Sequence, residues 1–413
     1  MRLNHRQELA VCDMAAAATD LSAAPHAGVA GAPQGAGAGM AFVRILFYTV
    51  PMDDEELSLP EGLRVAGRGA RRNMSGRFEA ETRSPVHDGW SIAEEARPLR
   101  TELRAERPRR IIARNDSPDI PFDRGLNPYR GCEHGCAYCY ARATHAHLGL
   151  SPGLDFESRL VMRPQAPAVL ARELRARGYD PRPMAIGTAT DPYQPAEQAQ
   201  RITRGVLEVL REFSHPATIT TRGALIARDL DILAPMAARG LMRVGISIAT
   251  LDPDLSRRLE PRAPAPARRL EAIAALAAAG VPVQVMIAPV IPALTDHELE
   301  AILAAGARAG ARCAQWLLLR LPNEVAPLFL DWLARHEPGR AARVRGRLRE
   351  MHGGRDYDAA WGRRMRGQGP HAALLARRFE IAARRNGLDR VPPPLDCTQF
   401  APPPRAGDQL ALF

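Results

Sequence analysis

The stretch Met184–Ile248, MAIGTATDPYQPAEQAQRITRGVLEVLREFSHPATITTRGALIARDLDILAPMAARGLMRVGISI, alternates between two residue patterns. Three short apolar runs, Met184–Thr188, Ala217–Thr221 and Met242–Ile248, have the length and composition of strands buried on both faces. Between them, Ala196–Phe213 and Ala227–Arg239 place apolar residues at helical spacing, and Gly240 stands where the second helix should stop. Strand, helix, strand, helix, strand at this spacing is the pattern of βαβ units on a parallel sheet.

Outward from that stretch the alternation continues. Toward the C-terminus come a helix over Arg268–Ala279, Gly280, a strand over Val281–Ala288, a helix over Thr295–Ala309 and a strand over Ala314–Leu319. Toward the N-terminus lie a helix over Gln165–Arg177 and a short strand ahead of a cysteine cluster. That makes about six units, fewer than the eight of a closed barrel. The expected fold is therefore α/β: a partial (βα)6 TIM-like barrel with an N-terminal arm and a C-terminal helical extension.

Five regions follow. Residues 1–66 are Ala- and Gly-rich, hold no period and are expected to be a disordered extension; 67–120 read as a loosely ordered, polar, Arg-rich arm. Residues 121–322 form the core, 323–390 an Arg-rich helical extension, and 391–413 a Pro-rich tail. The longest apolar run of the leader, Ala41–Val50, is short, carries Arg44 and lies far from Met1, so neither a membrane span nor an ordinary secretory signal is expected.

Six cysteines in 413 residues are too few for a disulfide framework. Three crowd into eight positions while Cys12, Cys313 and Cys397 are scattered, a distribution that fits a metal site in the reducing cytoplasm. The net charge is +10, and all 56 basic side chains are Arg. Without a Lys there is no Walker-type phosphate loop and no Schiff-base chemistry. From Asp331 to Arg390 there are 15 Arg against 7 Asp plus Glu, so +8 of the +10 sits there. A footprint for a polyanion such as DNA and a solvated helical surface both fit that charge.

The segment Asn127–Arg142 reads NPYRGCEHGCAYCYAR, with Cys132, Cys136 and Cys139 spaced C-x3-C-x2-C. Gly131 and Gly135 permit a tight loop on which three thiolates converge. Zinc prefers four ligands, usually in two pairs. Three ligands in one loop instead leave one position open, as in an iron–sulfur cluster with one iron not held by protein. The competing reading is a zinc knuckle completed by His134, Cys397 or a distant His. His134 itself reads as an exposed loop residue.

This loop resembles the signature of the radical S-adenosylmethionine (SAM) superfamily, C-x3-C-x-Φ-C, with Tyr138 at the aromatic position. The wider wording is similar to a bacterial branch related to spore photoproduct lyase and labelled DNA repair photolyase: SPDIPFDRGLNPYRGCEHGCAYCYARATHAHLGLSPGLDFE, then TDPYQPAE, LEPRAPAPARRLEAI and APVIPALTD. The resemblance implies a [4Fe–4S] cluster on the three cysteines. Its open iron would bind the amino and carboxylate groups of SAM, and one electron from a donor such as flavodoxin or ferredoxin would release a 5′-deoxyadenosyl radical. It further implies that Thr190 and Asp191 hold the methionine ammonium and that Arg222, where relatives carry Lys, faces the carboxylate. Ser247 would touch the ribose, and Tyr138 and Ala288 the adenine.

For the substrate, the resemblance implies nucleic acid, with lesion repair by a lyase-type reaction as the working expectation. Spore photoproduct lyase returns a hydrogen through a Cys near the end of its second strand, and this chain has none between Cys139 and Cys313. Cys313, Cys397, Tyr140 and Tyr193 are the remaining hydrogen sources. Within the Arg-rich extension, Tyr357 and Trp361 could stack on bases, although core packing is the expected job of Trp361. The terminus Gln409-Leu410-Ala411-Leu412-Phe413, after what reads as a flexible Pro-rich linker, resembles the peptide that docks on the bacterial DNA sliding clamp. Two other functions stay open: a radical SAM enzyme modifying RNA, a peptide or a small molecule, and a non-enzymatic zinc protein that binds nucleic acid.

Overall fold

The structure, a computed structural model, describes residues 67–79 and 99–404. The strands are β1 (Glu102–Ala105), β2 (Ile112–Arg114), β3 (Arg124–Leu126), β4 (Tyr129–Arg130), β5 (Arg159–Met162), β6 (Met184–Ile186), β7 (Ala217–Thr221), β8 (Met242–Ser247), β9 (Val283–Val290) and β10 (Cys313–Leu318). Seven of them form one sheet in the order β10-β9-β8-β7-β6-β3-β2. From β3 to β10 every neighbour is parallel, and only β2 at the edge runs antiparallel. The fold is α/β with mixed sheets.

The helices between these strands are α1 (Leu154–Ser158), α2 (Ala166–Leu174), α3 (Glu197–Gln200), α4 (Ile202–Glu212), α5 (Leu230–Ala238), α6 (Pro253–Leu259), α7 (Pro266–Ala278) and α8 (Leu299–Arg308). Helices α2, α4, α5, α7 and α8 bury their apolar stripes against Met184, Ile186, Ile219, Val244, Ile246, Val283, Val285 and Ile287, all fully buried. Each such side chain contributes about 1.5–3 kcal/mol by leaving water, so the parallel strands read as unbroken apolar runs.

The single helix expected over Ala196–Phe213 is two. Arg201 takes a left-handed φ of 51° between α3 and α4. The Glu197 carboxylate then accepts the N–H groups of Thr203 (3.0 Å) and Arg204 (3.3 Å), satisfying orphan donors at the start of α4.

A second, three-stranded sheet has the order β1-β5-β4, with β1 parallel and β4 antiparallel to β5. The cysteine segment spans the gap between β4 and β5, inside the crossover from β3 to β6. The arm is not loose where it is described: β1 and β2 join the two sheets, Gly69 and Ala70 donate to Glu157 of α1, and Arg77 N–H donates to Glu324 (3.1 Å).

Beyond β10 lie α9 (Val325–His336), α10 (Pro338–Met351) and α11 (Gly369–Arg385). Trp361 does not pack into the core; it is 59% exposed. Nor are the first residues of the Pro-rich tail a flexible linker. Residues 391–404 are irregular, yet Asp396 N–H donates to Gly240 O (3.0 Å) and Ala401 N–H to Phe213 O (3.0 Å), while Phe400 packs among Tyr179, Phe213 and His215. The leader 1–66, Cys12 and the terminal Gln409, Leu410, Leu412 and Phe413 lie outside the described residues. Among the described residues no helix is long and apolar enough to cross a membrane.

Candidate cofactor site

Two glycines bend the cysteine segment where the spacing requires it. Gly131 and Gly135 have φ of 78° and 66°; a Cβ would lie 2.7 Å from Leu160 at the first and 2.6 Å from the Glu157 carboxylate at the second. Inside the loop the Arg142 guanidinium gathers the carbonyls of Cys136 (2.9 Å), Gly135 (3.1 Å) and Gly153 (3.0 Å), and pairs with Glu157 at 2.5 Å. The other lone pairs of Glu157 accept the N–H groups of Gly69 (2.8 Å) and Ala70 (2.7 Å) from the arm. From the opposite side α6 contributes the Leu259 carbonyl to Ala137 N–H at 2.9 Å.

A cavity opens at the C-terminal ends of the parallel strands, where ligands gather in such folds. Cys132, Cys136 and Cys139 line it together with Thr190 and Asp191 beyond β6, Arg222 beyond β7, Ser247 at the end of β8 and Ala288 on β9. Eight of the nine expected site residues thus meet in one space. Tyr138 does not line it. Its ring is buried, its hydroxyl donates to Glu260, and the Arg222 guanidinium lies 5.8 Å from its centroid. The side chain therefore acts on the site through Arg222 rather than as a wall. Sequence reasoning missed Met286 and Leu317 as lining residues, which alternation within a strand could have flagged, and Gly187, whose φ is 88° and where a Cβ would lie 2.2 Å from Thr220 O.

The donor set fits a cluster. All three cysteines are free thiols. Burial first, then nearby acidic groups, pushes Cys132 far above the ordinary thiol range and Cys136 up to about 12. Such thiols ionise when a cation sits among them. Among the described residues no three His, Cys, Asp or Glu side chains gather as ligands of a single metal ion. Neither named candidate for a fourth zinc ligand is turned to the thiols. His134 is buried rather than exposed and turns Nδ1 toward Asp191 (3.4 Å). Cys397 lies by Gly240, at the opposite end of the sheet.

Around the cavity the charges are fixed by pairing. Asp191 Oδ1 accepts Thr221 Oγ1–H (2.5 Å) and Tyr193 N–H (2.9 Å), and Oδ2 accepts Arg222 N–H (2.8 Å). Burial alone would raise its pKa, but His134 and Arg222 outweigh burial and hold the carboxyl well below the usual range. Burial likewise opposes the charge on Arg222. Cys136, Tyr138, Glu260 and Asp191 together more than offset it. Glu260 pairs with Arg269 and stands 3.6 Å from Arg222 Nε, which keeps both charges in place behind the cavity.

The profile of the radical SAM superfamily matches residues 126–305, from the end of β3 into α8. Uncharacterized proteins of Mycobacterium tuberculosis and Mycobacterium bovis are 40% identical over 228 residues, 55% of this chain and 67% of theirs. The chain belongs to the radical SAM superfamily. An uncharacterized protein of Methanocaldococcus jannaschii is 26% identical over 174 residues, 42% of this chain and 62% of its own. Solved structures of spore photoproduct lyase overlay with TM-scores of 0.48 to 0.49 at 15–16% identity, covering 68–69% of this chain and 78–79% of theirs; one holds AdoMet and a dinucleoside spore photoproduct. The radical SAM family uses a [4Fe–4S] cluster and SAM. In this member Cys132, Cys136 and Cys139 are the residues that would hold the cluster.

Proposed function

We propose that this radical SAM enzyme acts on nucleic acid, with a damaged base in DNA as the first substrate to test. The observation that carries the reading is an aromatic and basic surface joined to the cavity rim. Tyr140 lines the cavity; Arg320 stacks on its ring at 4.9 Å and reaches the Tyr357 hydroxyl at 3.5 Å. Leu317, also lining, packs with Met365. Between Tyr357 and Met365 in sequence stands exposed Trp361, on a loop tied down by Gly362 N–H to Asp119 (2.8 Å) and Arg345 to Asp356 (3.0 Å). A pinned, exposed indole beside arginines suits a stacked base and its phosphate.

Six consecutive parallel strands, β3 and β6 to β10, support a partial (βα)6 barrel as the frame. When bound, SAM on an open iron supplies a 5′-deoxyadenosyl radical after one-electron reduction. The chain's residues bind and orient it. Arg222 would offer its guanidinium to the SAM carboxylate, with Glu260 3.6 Å behind Nε and its own backbone N–H fixed on Asp191. Thr190 and Asp191 are the groups that would receive the ammonium. Ser247 and the backbone of Ala288 border the ribose and adenine.

For returning a hydrogen, position favours Tyr140, beside Cys139 on the cavity wall with its hydroxyl donating to Thr188 O. Tyr193 is buried with its hydroxyl on Asp229 (3.1 Å), and Cys313 and Cys397 sit at the other end of the sheet. The test is anaerobic reconstitution followed by measurement of 5′-deoxyadenosine with UV-irradiated DNA, intact DNA, RNA and no substrate. Stimulation by irradiated DNA alone supports lesion repair; stimulation by RNA, or by none of them, redirects the reading to a modifying enzyme. Docking on the sliding clamp through Gln409, Leu410, Leu412 and Phe413 is a separate proposal: deleting 409–413 should abolish clamp binding, and unchanged affinity removes it.

A further inference from the structure

Two segments meet at the cavity: the cysteine segment, and residues 187–194 beyond β6, which carry Thr190 and Asp191. Two buried side-chain amides brace them against each other in opposite directions. From the cysteine side, Asn127 Oδ1 accepts the N–H groups of Ala189 (2.9 Å) and Thr190 (3.3 Å), and Nδ2 donates to Thr188 Oγ1 (3.3 Å). From the β6 side, Gln194 Oε1 accepts Glu133 N–H (2.9 Å) and Nε2 donates to Gly131 O (3.3 Å). Both bonds of Gln194 fall on the peptide groups flanking Cys132. A primary amide donates and accepts at once, whereas a carboxylate only accepts and a guanidinium only donates. The N–H of Cys132 itself is fixed on Phe156 O (2.9 Å). Gln194 thus does for Cys132 what Arg142, on the carbonyl of Cys136 (2.9 Å), does for the second thiol. Three residues earlier on the same turn stands Asp191, whose Oδ1 accepts Tyr193 N–H (2.9 Å).

We propose that Gln194 is a positioning residue for the cluster, setting how Cys132 presents its thiolate and tying that thiolate to the Asp191 turn. The inference deepens the assignment of the cluster to the three cysteines and rests on it. Gln194 touches no iron and no sulfur; it acts through the backbone on either side of the ligand. Groups that orient a metal ligand in this way change metal affinity by roughly 10- to 100-fold when they are removed. Because Gln194 is fully buried, no bulk water stands by to replace its two hydrogen bonds.

The experiment uses the full chain, reconstituted anaerobically as wild type, Gln194→Met, Gln194→Glu and Tyr193→Phe. Three quantities are read: the rate of iron loss to an excess of chelator, the electron paramagnetic resonance spectrum after dithionite reduction, and the urea midpoint of the apoprotein. Met keeps the length of Gln and makes neither hydrogen bond. Gln194→Met should lose iron on the order of tenfold faster than wild type, with shifted g values. Gln194→Glu keeps the acceptor for Glu133 N–H, gives up the donor to Gly131 O, and should fall between. Tyr193→Phe removes a hydrogen bond from the same turn to Asp229 (3.1 Å), away from the cysteine segment. It should keep the wild-type rate and spectrum even where its urea midpoint falls. Wild-type iron retention and spectrum in Gln194→Met overturn the proposal. Equal acceleration in Tyr193→Phe does the same, because Gln194 would then only stiffen the turn. Should the Met variant fail to fold, the Glu variant decides by the same two readouts. Wild-type protein that takes up no iron sinks the cluster assignment and this proposal together, whereas iron held alike by every variant sinks the proposal alone.

Discussion

Replacing Glu157 by Ala should cost the protein both stability and its iron. Glu157 is fully buried and pairs with Arg142, whose side chain is equally buried; it also accepts the N–H groups of Gly69 and Ala70. Removing one member of a buried ion pair costs about 3–5 kcal/mol, because the partner's charge stays behind. Here the carbonyls of Cys136, Gly135 and Gly153 still solvate the guanidinium, which puts that loss at the lower end. Two orphaned backbone donors add about 1–3 kcal/mol each if they stay dry, and water entering the gap recovers part. The net expectation is about 5 kcal/mol, a large share of the 5–15 kcal/mol typical of a folded domain. Urea unfolding of the apoprotein measures it, and the iron-to-protein ratio after reconstitution reports the loop. Glu208→Ala, which breaks only an exposed pair with Arg204, is the control and should move stability by less than about 0.5 kcal/mol. A loss below about 1 kcal/mol together with full iron loading would refute the claim that the arm and Arg142 set the loop.

Three other outcomes are expected. Changing Cys132, Cys136 and Cys139 together to Ala should give colourless, iron-free protein that makes no 5′-deoxyadenosine; iron retained at wild-type stoichiometry would contradict the ligand assignment. His215 is fully buried against Tyr179 and Phe400, and burial lowers its pKa from 6.5 to about 4. The unfolded chain therefore binds the proton more readily, so this contribution is intact above pH 6.5 and is lost as pH falls toward 4, by about 2 kcal/mol at pH 5. Urea midpoints at neutral pH and pH 5 should show that loss shrinking in His215→Asn. Trp361→Ala should weaken binding of a single-stranded oligonucleotide by roughly 5- to 150-fold, the range for one lost stacking contact, with Trp361→Phe close to wild type. Anisotropy with a labelled oligonucleotide reads it, and equal affinity for the Ala variant would dismiss Trp361 as a base platform.

The sequence by itself determined what short-range chemistry encodes. Apolar periodicity located the strands from β6 to β10 within about two residues, because each is buried on both faces and tolerates few polar residues. The C-x3-C-x2-C spacing singled out three thiols that line one cavity, since one loop holds them all. Residues just beyond strands pointed to Thr190, Asp191, Arg222 and Ser247, because a parallel sheet sends its C-terminal ends to one side. Tertiary structure alone decided the rest. His134 looked exposed from its loop and is buried against Asp191, 57 positions away; Glu157 carries no local signal, yet joins Arg142 to an arm nearly 90 residues upstream. The Pro-rich tail became an ordered strap because Phe400 found Tyr179 and His215, and Trp361 stayed in water because its loop is anchored to either side of it. Periodicity records which face of an element is apolar, whereas these features depend on which distant group each face meets, and only the folded chain specifies that.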